Sequence, residues 1–176
     1  MQSIVWFSGP SAMNLVDVVP YGRYTELGCN FMYQYRSVDH AVCYDHQVII
    51  RMPDDVRCER WCRHQYARSH WHTVVRPYSN QHISDSGTLA VEVSQRLGAT
   101  HTWIIGCDWG VSDASIQNDS YQFRGYQPAK YSPIKDKWLA QLDHARVTWV
   151  HLERQPWMQS YINHSDFLDL AMSDFH

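Results

Sequence analysis

The sequence predicts a single α/β domain, a mostly parallel central sheet flanked by helices. Three observations predict it. Short apolar runs alternate with helically patterned segments, the signature of βαβ units. Two of these runs, Ile4 to Phe7 and Thr102 to Ile105, lead straight into glycine-containing turns. The 176 residues show no internal repeat, low-complexity tract or linker, and domains usually hold about 100–200 residues.

The elements follow in order. Ile4 to Phe7 is an apolar strand, ended by Pro10, which cannot donate to a ladder. Ser11 to Val19 places Met13, Leu15, Val16 and Val19 at roughly helical spacing, until Pro20-Tyr21-Gly22 breaks it. A second strand within Tyr24 to Tyr33 ends near Asn30, and a third, Ala41 to Tyr44, ends at Asp45. His46 to Tyr66 mixes apolar and charged residues at helical spacing, interrupted at Pro53. Trp71 to Val75 is β-branched and aromatic, hence a strand. Arg76 to Asp85 is a polar loop.

Ser86 to Leu97 is the clearest helix. Ser86 or Thr88 can cap it, Leu89, Val93 and Leu97 repeat every four residues, and Gly98 suits the position after the C-cap. Thr102 to Ile105 is the clearest strand, inner like Ile4–Phe7 and Ala41–Tyr44. Asp108 to Ser132 is polar, aromatic and long, a length typical of functional lids. Ile134 to His144 reads as a helix with Trp138, Leu139 and Leu142 on one face, and Val147 to Leu152 as the last strand. Gln159 to Phe175 reads as a terminal amphipathic helix, making 158–176 a C-terminal extension of the domain.

Composition narrows the function. A net charge of −3 gives no polyanion-binding surface, so no nucleic-acid partner is expected. Five cysteines without a disulfide rhythm fit a reducing compartment. No signal peptide is visible, and no apolar stretch nears the roughly 20 residues that span a bilayer. The expectation is a soluble, cytoplasmic protein. Cys58-x-x-x-Cys62-x-His64, with His70 and His72 nearby, holds zinc-type ligands. No second ligand pair has finger spacing, so surface histidines and buried cysteines are the favoured reading, and no metal is expected. Trp61, Trp71, Trp103, Trp138 and Trp149 fall in regular elements and belong to the core. Trp109, outside them, is the candidate for stacking on a ligand.

In an open α/β sheet, ligands bind beyond the carboxyl ends of the strands. Asn30, Asp45 and Asp108 each end a predicted strand, and Ser8-Gly9-Pro10-Ser11 follows another. Ser86-Gly87-Thr88 opens a helix, where free N–H groups and the dipole suit a phosphate. Neither turn carries a P-loop or dinucleotide fingerprint, and each alone is explained by an ordinary connection or cap. In a parallel sheet all of them share one edge, and together they specify a nucleotide or phosphate site.

Ser-Gly-Pro-Ser after the first strand, Cys-Asn-Phe after the second, and Asp-Ser-Gly-Thr-Leu-Ala…Leu-Gly-Ala…Ile-Ile-Gly-Cys-Asp resemble the bacterial lipooligosaccharide sialyltransferases. They are also similar to the motility-accessory-factor proteins of flagellin glycosylation. The order and approximate spacing hold from Ile4 to about Leu152. The resemblance implies a Rossmann-like fold and a CMP-activated sugar donor, bound without metal or resident cofactor, and glycosyl transfer with inversion. It implies that Gly9, Pro10 and Ser11 approach the phosphate or sugar and that Asn30 bonds the phosphate or ribose. Ser86, Gly87 and Thr88 would line the nucleotide pocket, with Trp109 and Tyr121 near the family's phosphate-binding tyrosines.

The chain departs from that pattern where the family's first such tyrosine becomes Gly110 and an asparagine becomes Asp45. Tyr131 stands where the general-base histidine belongs, and a phenol with a reference pKa of about 10 is a poor base at neutral pH. The catalytic candidates are therefore Asp45, Asp108 and Tyr131. Two alternatives remain. One is a non-catalytic binding or assembly protein that retains the fold, for instance phage- or virus-borne. The other is a phosphate-ester hydrolase holding a divalent ion between Asp45 and Asp108.

Overall fold

The computed structural model describes residues 1–63, 66, 70–74, 85–107 and 135–173. Eight strands form one all-parallel sheet: β1 (Gln2–Trp6), β2 (Thr25–Cys29), β3 (His40–Cys43), β4 (Glu59–Arg63), β5 (His72–Val74), β6 (His101–Ile105), β7 (Val147–His151) and β8 (Tyr161–Asn163). Their order is β5-β4-β3-β2-β1-β6-β7-β8. The chain therefore builds outward from β1 to β5, crosses back, and builds outward again from β6. The order reverses between β1 and β6, whose residues Trp6 and Ile105 are paired in register.

The sheet is covered on both faces, which is why its inner strands are nearly continuous apolar runs. Helix α1 (His46–Ile49) follows β3, α2 (Ser86–Arg96) leads into β6, residues 135–139 form α3, and α4 (His164–Met172) follows β8. Val5, Leu27, Val42 and Ile104 meet α2, together with Trp138 of α3 and Trp149. On the opposite face Ile4, Trp6, Trp103 and Ile105 meet Leu15, Val16 and Val19, with Phe167 and Ala171 of α4. Alternate side chains of β1 thus enter different cores, as the two-residue period of a strand requires. Near the C-terminal end of α2 the contact with β1 and β6 turns polar: Ser94 Oγ lies 2.6 Å from Ser3 Oγ and 2.8 Å from Thr102 Oγ1. Each buried hydroxyl finds its partner there.

The capping of α2 explains its bounds. Asp85, not Ser86 or Thr88, is the N-cap, accepting from the Thr88 amide at 2.8 Å. At the other end Gly98 takes a left-handed φ of +91°, and the Ala99 amide reaches back to Ser94 O at 3.1 Å.

Several segments differ from the sequence reading. The helix expected over His46 to Tyr66 is only the short α1, and Glu59–Arg63 is strand β4, held between β3 and β5. Cys58 and Cys62 therefore share no helix face. Ser11 to Val19 forms a 3-10 turn (Pro10–Asn14) followed by further turns rather than a regular helix. Val147–His151 is not the last strand. Tyr161–Asn163 pairs beside it as β8, and α4 packs back on the sheet. The predicted segments Arg76 to Ser84 and Asp108 to Ser132 lie outside the described residues. Among the described residues, no helix is long and apolar enough to cross a membrane.

Candidate functional site

The carboxyl ends of β1, β2 and β3 meet the start of α2 along one edge of the parallel sheet, an edge that the ends of β4 and β6 share. At the order reversal the backbones of the β1 and β6 turns bind each other. Phe7 N donates to Ile105 O at 2.8 Å and Gly9 N to Gly106 O at 2.9 Å. Gly106 has φ +78°, and a Cβ there would lie 2.5 Å from Phe7 O, so only glycine fits. The Gly9 amide is thus engaged within the fold. Ser11 is buried in the turn that follows.

Gly87 joins this turn from the other side. A Cβ on it would lie 2.1 Å from Phe7 Cε1 and Cζ. The start of α2 therefore sits directly on the end of β1, and Gly9 and Gly87 share the carboxyl edge. The amides of Gly87 and Thr88 turn toward the Asp85 carboxylate, which also accepts from Thr88 Oγ1 at 3.1 Å. The first turn of α2 already holds an anion, its own cap. Burial pushes the Asp85 carboxyl above the usual aspartate range, and the nearby Asp45 charge adds to that shift.

What this turn offers is the Ser86 side chain. Its hydroxyl accepts the Tyr44 main-chain N–H at 2.9 Å and donates to Asn30 Oδ1 at 2.6 Å. One serine thereby ties together the ends of β2, β3 and α2. Asn30 has φ +55°, alone among the described non-glycine residues in taking a positive value. Asparagine tolerates this left-handed backbone better than most residues. With Oδ1 committed to Ser86, the amide is oriented, and its amino group has no hydrogen-bond partner among the described residues.

Asp45 caps the short α1 with its backbone, accepting from the amides of Val48 and Ile49, and its side chain is exposed at the same edge. Asp108, Trp109, Tyr121 and Tyr131 lie outside the described residues, as do Gly110 and His64. Of the predicted set, Gly9, Pro10, Ser11, Asn30, Asp45, Ser86, Gly87 and Thr88 therefore fall along one edge. The tightest convergence is Asn30 with Ser86.

The sequence reading missed Tyr44 and Arg63. Arg63 ends β4, and its guanidinium donates to Tyr44 Oη at 2.8 Å and Tyr66 Oη at 2.6 Å. The guanidinium carbon lies 4.1 and 4.2 Å from those two ring centroids. Tyr44 follows an apolar run and Arg63 ends a charged one, so no shared sequence signal pointed to the pair. Cys29 and Cys43 offer no reactive thiolate. Burial holds the Cys29 and Cys43 thiols well above the usual range, and all five cysteines are free. Among the described residues no three histidine, cysteine or acidic side chains converge as metal ligands.

No protein-family model, curated protein or solved structure matches the chain.

Proposed function

We propose that this chain is a Rossmann-like domain that binds a nucleotide or nucleotide-sugar at the carboxyl edge of its sheet. The reaction it would serve is glycosyl transfer from a CMP-activated sugar. The observation that carries the reading is Asn30, a strand-end residue held in left-handed backbone. Non-glycine residues held in that region cluster at ligand sites. Ser86 orients its amide and leaves the amino group as a donor, on the edge beside the reversal in strand order where open α/β sheets take ligands. With the Gly87 and Thr88 amides turned to Asp85, side-chain donors rather than the helix terminus would meet the ligand.

The test is a thermal-shift screen with CMP, UDP, GDP and their sugars. A ligand at 100 times its Kd adds about 2.7 kcal/mol of stability. A shift with one nucleotide class supports the reading, and no shift with any of them rejects it. Incubation with CMP-sialic acid then separates the functions. CMP release that disappears in Asp45→Asn identifies an enzyme and its carboxylate. Binding without release identifies a binding protein on the same fold.

A further inference from the structure

We propose that Tyr44 and Arg63 form the anion-recognition element of this edge and take the phosphate of the nucleotide, an inference that rests on the nucleotide reading above. β3 and β4 are parallel neighbours with Cys43 paired to Cys62, so the next residues, Tyr44 and Arg63, emerge side by side at the carboxyl edge. Both are half-buried. Arg63 sits against the two tyrosine rings and donates one N–H to each phenol oxygen.

That arrangement fixes the direction of the Tyr44 hydroxyl. A phenol oxygen that accepts from a guanidinium gives its own proton elsewhere. No described residue takes the Tyr44 proton. Burial raises the Tyr44 pKa more than Arg63 lowers it, so the group stays a protonated donor at neutral pH.

The backbone of the same residue is held as firmly. Tyr44 N–H is bound to Ser86 Oγ, the hydroxyl that orients Asn30. One serine thus sets two outstanding donors, the Asn30 amino group and the Tyr44 hydroxyl, with the Arg63 cation behind the second. Donors backed by a cation call for a ligand that only accepts and carries negative charge. A phosphate oxygen meets both conditions, and hydrogen bonds to it are charge-assisted. A ribose hydroxyl would bring a proton of its own and gain little from the guanidinium. Asp45 and Asp85 also act on Tyr44, so the local field is mixed. Arg63 is what makes an anion acceptable there.

The test is calorimetric titration of the full chain with CMP and, separately, with cytidine. Wild type, Tyr44→Phe and Arg63→Lys are compared. The wild type should bind CMP more tightly than cytidine. Tyr44→Phe should lose about tenfold or more in CMP affinity, the loss expected for a hydrogen bond to a charged group. Arg63→Lys, which keeps the charge but not the fork that fixes both phenols, should weaken CMP in the same direction, with cytidine affinity unchanged in both. Tyr44→Phe removes one oxygen, so it decides the matter if Arg63→Lys fails to fold. CMP binding at wild-type strength in the variants would overturn the proposal and leave the nucleotide reading standing. A wild type that binds neither CMP nor cytidine, nor any other nucleotide in the screen, would overturn both.

Discussion

Glu26→Gln is the substitution whose cost the structure defines most sharply. Glu26 lies on β2 and Arg36 on the connection to β3, and they are 2% and 1% exposed. Arg36 Nη2 donates to Glu26 Oε1 at 2.6 Å, and Nε donates to Oε2. Trp6 Nε1 donates to that same Oε2 at 2.8 Å. The other side of the guanidinium reaches the carbonyls of Val16 and Val19, and its carbon lies 4.0 Å from the centroid of the Tyr21 ring. The pair therefore pins the segment after the Gly9–Pro10 turn to the middle of the sheet. Glutamine keeps the shape of the carboxylate but leaves a buried guanidinium without its counter-charge. Removing one partner of a buried pair costs about 3–5 kcal/mol, against a total stability of about 5–15 kcal/mol. For a chain of this length each kcal/mol moves Tm by about 2–4 °C. The expected fall is about 6–20 °C, read by far-UV circular dichroism and checked by urea unfolding. A double variant, Glu26→Met with Arg36→Met, removes the unpaired buried charge but leaves Trp6 Nε1 and the Val16 and Val19 carbonyls without their partners, so it should return only part of the loss. Glu26→Gln within about 1 kcal/mol of wild type would refute the reasoning.

Two further perturbations test the edge itself. Asp85 has its carboxyl raised by burial in the folded state, so the native protein holds that proton more tightly than the unfolded chain. Its contribution is fully present below the unfolded aspartate pKa, about 3.9, and fades as pH rises through the folded value. Asp85→Asn keeps a good N-cap without that titration. The stability of wild type relative to the variant should therefore fall as pH is raised from about 4, and denaturation curves with a flat or rising difference would contradict this. Gly87→Ala drives a methyl into the Phe7 ring and should cost about 1–3 kcal/mol as overpacking does. Phe7→Leu in the same chain should return part of it, and additive losses in a double-mutant cycle would show that the two residues do not meet.

Much of the fold was legible because its inner strands carry no ambiguity. Ile4 to Phe7, Ala41 to Tyr44 and Thr102 to Ile105 are apolar on both sides, as strands covered on both faces must be, and they correspond to β1, β3 and β6. The helix over Ser86 to Leu97 was legible from its repeat and from Gly98. Its cap was misplaced by one to three residues because Asp85, Ser86 and Thr88 all have capping side chains. β4 was not legible. Glu59-Arg60-Trp61-Cys62-Arg63 reads as a charged helical segment, and only its place between β3 and β5 makes it a strand. Arg60 is buried there because it donates to the carbonyls of Pro53, Asp54 and Val56, an arrangement no periodicity announces. β8 is three residues long, too short to show a pattern. The site followed the same division. Asn30 and Ser86 were found from strand-end and helix-start positions, whereas Tyr44 and Arg63 become neighbours only once β4 is a strand.

The central claim is that the donors oriented by Ser86 at the carboxyl edge bind a nucleotide. Calorimetric titration of the wild type and Asn30→Ala with the nucleotide that gives the largest thermal shift tests it most directly. Asn30→Ala removes the amino donor, and a hydrogen bond to a charged phosphate is worth about 1.5–3 kcal/mol. The account predicts a Kd weakened by about tenfold or more, with the unfolding transition of the free protein still cooperative. An Asn30→Ala variant that folds and binds the nucleotide as tightly as wild type would contradict it.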